Sequence, residues 1–245
     1  MYFSLGCKIA LFNGLMLLTS SLAYATKIEV VTENWPPFNY LDHQKEVVGS
    51  VTANIKQILE HAQLTYSINL YPWARSYKLA ESKKNHLIYA LYKTPERAKH
   101  FHWFCPITKP IALYFMKIKD SAPHIENIEQ AKHYKIGVVR QDAPNIYLSR
   151  YGFIKGKNLY EATNEINNMQ KLLNGDVDFI VQSKQSIAYR LAALKLPLDS
   201  IQATIALPKD NNDICMALNI NSDKEVVDRL TKGFLIYQQK NSHSH

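Results

Sequence analysis

The chain has 245 residues, 47% of them hydrophobic and 20% charged, with a formal net charge of +8. This is the composition of an ordinary folded protein long enough for two lobes, and it excludes disordered, collagenous and disulfide-scaffold classes. Lys and Arg are spread along the chain rather than gathered in one block, which argues against a nucleic-acid footprint.

Residues 1–25 read as a signal peptide. Lys8 supplies the positive region, Ile9 to Leu18 the apolar region, and Ala23-Tyr24-Ala25 the small-x-small cleavage site, with the cut after Ala25. The apolar run is too short and interrupted to anchor permanently in a bilayer. Cleavage removes Lys8 and Cys7, which lowers the net charge by one to +7 and leaves Cys105 and Cys215. In an oxidising compartment this pair is either one long-range disulfide or two separate buried thiols.

Lys27 to Thr32 alternates and reads as the first strand. Pro36 and Pro37 then stop it and hold Trp35, Phe38 and Tyr40 on a stiff loop. A helix after Gly49 presents Val51, Ile55, Ile58, Leu59 and Ala62 on one face. Tyr66, Ile68 and Leu70 mark a second strand, and Trp73, Tyr77 and Ala80 the helix after it. Leu87 to Leu91 is a continuous apolar run, the pattern of a central parallel strand. Thr94 and Pro95 suit the start of a short helix carrying Arg97. An aromatic strand then runs to Phe104.

Ile111 to Ile118 is the next strand, and a second α/β unit follows. It contains strands at 135–140, 157–160, 177–181 and 201–207. Asp142 caps a helix through Ile146 and Leu148. Thr163 caps another, through Ile166, Met169, Leu172 and Leu173, which Gly175 ends. A third runs from about Gln185 to Lys195. Ile214 to Ile220 is a returning strand. Ser222 caps the last helix, with Val226, Val227, Leu230 and Phe234 inward, and the tail to His245 is polar.

Three loops at the carboxyl ends of successive strands therefore carry Trp35, then Trp73 and Arg75, then Tyr92 and Arg97. Ligands bind just outside those ends in an open parallel sheet. A guanidinium fork there suits a carboxylate, and the aromatics suit a ligand wall. No nucleophile elbow, phosphate loop or Cys/His pair is present, so the chain reads as a binder with no cofactor and not as an enzyme. His100 and His102 lack a third partner for a metal.

The order and spacing of several pieces resemble the bacterial extracellular solute-binding proteins, family 3. They are Trp35-Pro36-Pro37-Phe38-Asn39-Tyr40, Gly49, Pro72-Trp73 and Thr94-Pro95-Glu96-Arg97. Further on come Lys135-Ile136-Gly137-Val138 and Asn174-Gly175-Asp176-Val177-Asp178. The resemblance covers essentially the whole chain after residue 25. It implies a two-lobed α/β periplasmic binding protein (type II). Two crossing strands, Cys105–Ile118 and Ile214–Ile220, would run side by side as the hinge and bring Cys105 and Cys215 into one region. The first lobe would be 26–109 with 212–245, and the second 110–211.

The resemblance also implies capture of a small carboxylate-bearing molecule, an amino acid or related organic anion, by a periplasmic monomer serving an ABC permease. A membrane sensor is the alternative partner, and a dehydratase or lyase on this fold a more distant reading. In the family pattern Arg97 matches the arginine that grips the ligand carboxylate and Trp35 an aromatic over the ligand. The acid that meets the ligand ammonium falls on Ser183, and Tyr92 replaces a small residue. Second-lobe anion contacts fall near Gln141 and Asp142, preceded by Arg140. With Arg75, Arg97 and Arg140 expected in the cleft and Asp142 its one acid, the expected ligand leans acidic.

Overall fold

The computed structural model describes residues 27–208 and 213–241. The expected signal peptide, the expected turn at Asn212 and the tail beyond 241 lie outside the described residues. Twelve strands and eight helices are present among the described residues, and ten of the strands form two five-stranded sheets.

In the first sheet β1 (Lys27–Thr32) lies between β4 (Thr65–Leu70) and β5 (His86–Tyr92), and β12 (Ile214–Asn219) lies between β5 and β6 (Phe101–Phe104). The first three run parallel, while β12 is antiparallel to both of its neighbours. All of β5 except His86 is buried, as its unbroken apolar run requires of a strand covered on both faces. Helix α1 (Ser50–His61) packs against α8 (Lys224–Asn241) on one side. Helix α2 (Trp73–Ser82) lies against β1 and β5. A two-stranded hairpin, β2 (Tyr40–Leu41) and β3 (Val47–Val48), precedes α1.

The second sheet has the order β11-β7-β10-β8-β9. Its strands are β7 (Tyr114–Ile118), β8 (Ile136–Val139), β9 (Leu159–Ala162), β10 (Phe179–Gln182) and β11 (Ile201–Ala206). Helices α4 (Ile128–Ala131), α5 (Ala143–Arg150), α6 (Glu165–Leu173) and α7 (Lys184–Ala193) accompany it. The single turn α3 (Pro95–Ala98) belongs with the first sheet, before β6.

The crossing segments differ from the expectation. β7 lies wholly in the second sheet and β12 wholly in the first, so these strands do not run side by side. The links between lobes are the stretch before β7 and the stretch before β12. There Ile107 N donates to Ile214 O at 2.9 Å and Leu207 N to Leu113 O at 2.8 Å. Prolines 106 and 110 explain why no strand forms across the link, since each lacks the N–H a ladder needs. Ile107, Ile111, Leu113 and Leu207 are buried in one contiguous cluster that joins residues of both lobes. Each such side chain contributes about 1.5–3 kcal/mol by leaving water, so the linker is anchored rather than free. Cys105 and Cys215 form a disulfide at the start of this region, with their Cα atoms 4.5 Å apart.

Local capping also departs from expectation. Asn164, not Thr163, caps α6 by accepting from Asn167 N at 2.9 Å, because the helix begins one residue later. The Ser222 hydroxyl accepts from Asn85 N instead. Ile166 points to solvent at 47% exposure.

Candidate functional site

The carboxyl ends of the two sets of parallel strands face one another across the lobes. Between them is a cavity of about 40 Å³, lined by Glu33, Trp35, Trp73, Tyr92 and Arg97 from one lobe and Asp142, Glu165 and Gln182 from the other, among others. An adjoining cavity of about 190 Å³ shares Glu33, Trp73 and Glu165 and continues past Tyr71, Pro72 and Asn164.

Each lining residue is delivered by a strand end. Glu33 follows β1, Trp73 opens the helix after β4, and Tyr92 ends β5. Ala90 holds a left-handed backbone, φ 62°, where the pairing of β5 with β12 slips register, and this re-aims the end of the strand. Asp142 caps α5 just after β8, and its carboxylate accepts from Asn145 N at 2.7 Å and Val139 N at 3.2 Å. Glu165 opens α6 after β9, and Gln182 ends β10.

Arg97 is the most deeply placed cation, 2% exposed. Its Nη1 donates to Tyr92 O at 3.1 Å and its Nη2 to Gln141 O at 2.8 Å, so it ties its own lobe to the other. Its guanidinium carbon stands 4.8 Å from the Trp73 ring centre and 5.3 Å from that of Tyr77, within cation–π range. Trp73 Nε1 donates to the same Gln141 carbonyl at 2.8 Å, and Trp35 Nε1 to Gln182 Oε1 at 2.8 Å. Tyr92 Oη donates to Ile111 O at 2.8 Å on the linker. Arg190, from α7, donates through Nη2 to Asn34 O at 3.0 Å, while its buried Nε has no partner. Trp35, Trp73, Arg97 and Arg190 thus bridge the lobes by hydrogen bonds, and the lobes are closed upon each other.

The electrostatics of the chamber are set by carboxyls. Burial, and then the neighbouring Glu165, push the Glu33 carboxyl up to about 8, against the pull of Arg190 and Arg97. Burial and Glu165 likewise raise Asp142 well above the usual range, opposed by its bond from Asn145 N and by Arg97. Glu165 is raised by burial, opposed by Arg190 and by the Gln182 and Asn168 side chains. Burial pulls the Arg97 and Arg190 guanidiniums down, although both remain cations. Among the described residues no group of three or more His, Cys, Asp or Glu is arranged to hold a metal ion.

Of the expected site residues, the structure brings together Trp35, Trp73, Tyr92, Arg97 and Asp142. It does not bring Arg75, Arg140 or Ser183 to the chamber. Arg75 is exposed and lies 4.2 Å over the Tyr71 ring, because two residues beyond Trp73 the helix has turned away from the cleft. Arg140 is exposed where the backbone turns into the left-handed conformation of Gln141, φ 63°. Ser183 is fully buried, and its hydroxyl caps α7 by accepting from Ser186 N at 3.2 Å. Its neighbour Gln182 lines the cavity instead.

The sequence reading missed Glu33, Glu165, Gln182 and Arg190. Glu33 and Glu165 each follow a strand end, and the rule that found Trp35 and Trp73 would have found them. Arg190 carried a different signal: it sits in the buried register of α7 with Ile187 and Leu191.

Two α/β lobes, a double crossing and a chamber between facing strand ends define the class of two-lobed periplasmic binding proteins. The chain belongs to the bacterial extracellular solute-binding proteins, family 3, whose profile matches residues 28–243. None of the curated proteins compared with it matches. Its fold is shared with a histidine kinase sensor domain described as similar to periplasmic binding proteins, at 18% identity, TM-score 0.75 and coverage of 89% of this chain and 92% of that one. An ancestral arginine-binding protein bound to arginine aligns at 17% identity and TM-score 0.74, over 88% and 93% of the two chains. The arginine-, lysine-, histidine-binding protein ArtJ from Geobacillus stearothermophilus aligns at 18% and 0.72, over 89% and 91%. Among the described residues no helix is long and apolar enough to cross a membrane.

Proposed function

We propose that this chain is an exported solute receptor that captures a small carboxylate-bearing molecule between its lobes, and that this molecule is an amino acid rather than a simple organic anion. The carrying observation is that Arg97 shares one chamber with three carboxyls, Glu33, Asp142 and Glu165. A guanidinium is the partner of a carboxylate, and carboxylates are the partners of an ammonium or a basic side chain. A simple dianion would meet three acids there. The ancestral protein of like fold is bound to arginine and ArtJ is described as binding arginine, lysine and histidine, and a basic amino acid suits this chamber.

The cavity of about 40 Å³ beside Arg97 has space for only about three waters. Ligand entry therefore requires the lobes to part, and the bonds Trp35–Gln182, Trp73–Gln141, Arg97–Gln141 and Arg190–Asn34 are those that open. Residues 26–109 with 212–245 move against 110–211 in this reading, with the Cys105–Cys215 disulfide tying the first lobe at the hinge. Closure around a ligand is a known repertoire for such architectures.

A thermal-shift screen of the protein from Thr26 onward, against amino acids, dicarboxylates and other small anions, tests the proposal. A ligand bound only by the native state raises Tm by mass action. Amino acids are expected to shift Tm and dicarboxylates not. A shift with dicarboxylates alone would overturn the amino-acid reading.

For partners, we propose an inner-membrane ABC permease. The likeness to a histidine kinase sensor domain supports a second reading, in which ligand state is passed to a membrane sensor. Loss of ligand uptake in a deletion strain favours the first, and intact uptake with a lost transcriptional response favours the second.

A further inference from the structure

We propose that the chamber takes up a ligand of one net positive charge in exchange for one proton. This rests on the proposed function above and adds to it the charge class of the ligand and the coupling of its capture to pH.

The reasoning begins with a charge count across the seam. The first lobe contributes Glu33 and Arg97 to the cavity and the second Asp142 and Glu165, while Arg190, bonded across the seam to Asn34 O beside Glu33, acts on both glutamates from outside that lining. Three carboxyls thus face two guanidiniums. The groups packed around them are the Tyr77 hydroxyl on α2 and Tyr92 on β5, both held neutral because burial raises them. Glu96, on the outer side of α3, is occupied with Arg150 at 3.8 Å. With all three carboxyls ionised the closed chamber would carry one uncompensated negative charge out of water, which is strongly disfavoured. A proton shared among the three removes it, and burial raises all three carboxyls. The macroscopic titration belongs to the set.

A ligand with one net positive charge removes the same excess, so the proton leaves to solvent as the ligand enters. A zwitterion such as glutamine brings no net charge and leaves the proton in place.

The test is titration calorimetry at pH 7 with L-arginine and L-glutamine, in phosphate and in Tris, whose ionisation enthalpies differ. The dependence of the heat on buffer gives the protons exchanged. About one proton released per L-arginine, and close to none per L-glutamine, is expected. Glu33→Gln and Glu165→Gln each restore two carboxyls against two guanidiniums, so each should reduce the release with L-arginine to less than half. L-arginine binding without proton release, or undiminished release in both variants, overturns the inference.

If no amino acid of the thermal-shift screen binds, the proposed function fails, and melting of the ligand-free protein decides the inference separately. A carboxyl raised from its ordinary 4.5 to about 8 keeps a proton that the unfolded chain has lost, so stability falls as pH rises through that window. Glu33→Gln is expected to flatten the decline in Tm between pH 5 and 8. An unchanged slope in both Glu33→Gln and Glu165→Gln refutes the shared proton.

Discussion

Arg97→Lys separates the geometry of the guanidinium from its charge. Arg97 holds Tyr92 O at 3.1 Å and Gln141 O at 2.8 Å while its guanidinium carbon stands 4.8 Å from the Trp73 ring centre and 5.3 Å from that of Tyr77. A planar fork reaches two carbonyls and still presents an edge to a ligand carboxylate. A lysine keeps the charge but is a compact point with a different reach. For the ligand, loss of a buried charged hydrogen-bond pair costs roughly 2–5 kcal/mol, a factor of about thirty to several thousand in affinity. For the fold, Gln141 O keeps the bond from Trp73 Nε1, and what is lost is the pair of charged bonds from Arg97 to Tyr92 O and Gln141 O. Their loss costs about 1.5–3 kcal/mol, or a Tm lower by roughly 3–12 °C for a chain of this size. Calorimetry with whichever amino acid raises the wild-type Tm, beside a melt of the variant, reads both. An affinity within threefold of wild type would refute the carboxylate clamp. A variant that no longer folds would show Arg97 to be chiefly a structural tie between lobes.

Trp35→Phe keeps a ring against Phe38 and Tyr92 but removes the donor to Gln182 across the seam. One neutral hydrogen bond of about 0.5–1.5 kcal/mol is lost from the closed form, so affinity should weaken by roughly two- to twelvefold, mainly in the off-rate, measured by stopped-flow. Cys105→Ser with Cys215→Ser opens a link spanning 110 residues. Chain entropy predicts a loss of about 4–5 kcal/mol in urea denaturation, and a loss under about 1 kcal/mol would show the hinge already fixed by its apolar cluster. Gly49→Ala places a Cβ 2.4 Å from Phe38 O at φ +119°. About 3 kcal/mol or more of destabilisation is expected, from backbone strain and the clash with main chain.

Much of the site was legible because one rule governs it. Side chains at the carboxyl ends of parallel strands meet where two open sheets face each other, and Trp35, Trp73, Tyr92, Arg97 and Asp142 all occupy such positions. The same rule applied to chemistry other than aromatics and arginines reaches Glu33 and Glu165. The rule does not say which of two adjacent residues faces inward. At 182–183 the alternation of β10 turned the glutamine to the chamber and left the serine to cap a helix. At 140–141 a left-handed residue turned the arginine out and placed a backbone carbonyl at the seam.

The sequence by itself determined most of the strands and helices, the short β2–β3 hairpin and the single turn α4 excepted, since periodicity and breakers act over a few residues. It also determined the family, which motif order and spacing carry over the whole length. Tertiary structure alone decided that Cys105 and Cys215 are bonded, that β12 lies between β5 and β6, and that Glu33 meets Asp142 and Glu165. Those pairings span more than a hundred residues of chain, and no local preference encodes them. The burial that raises the three carboxyls exists only once both lobes have folded and closed around the chamber.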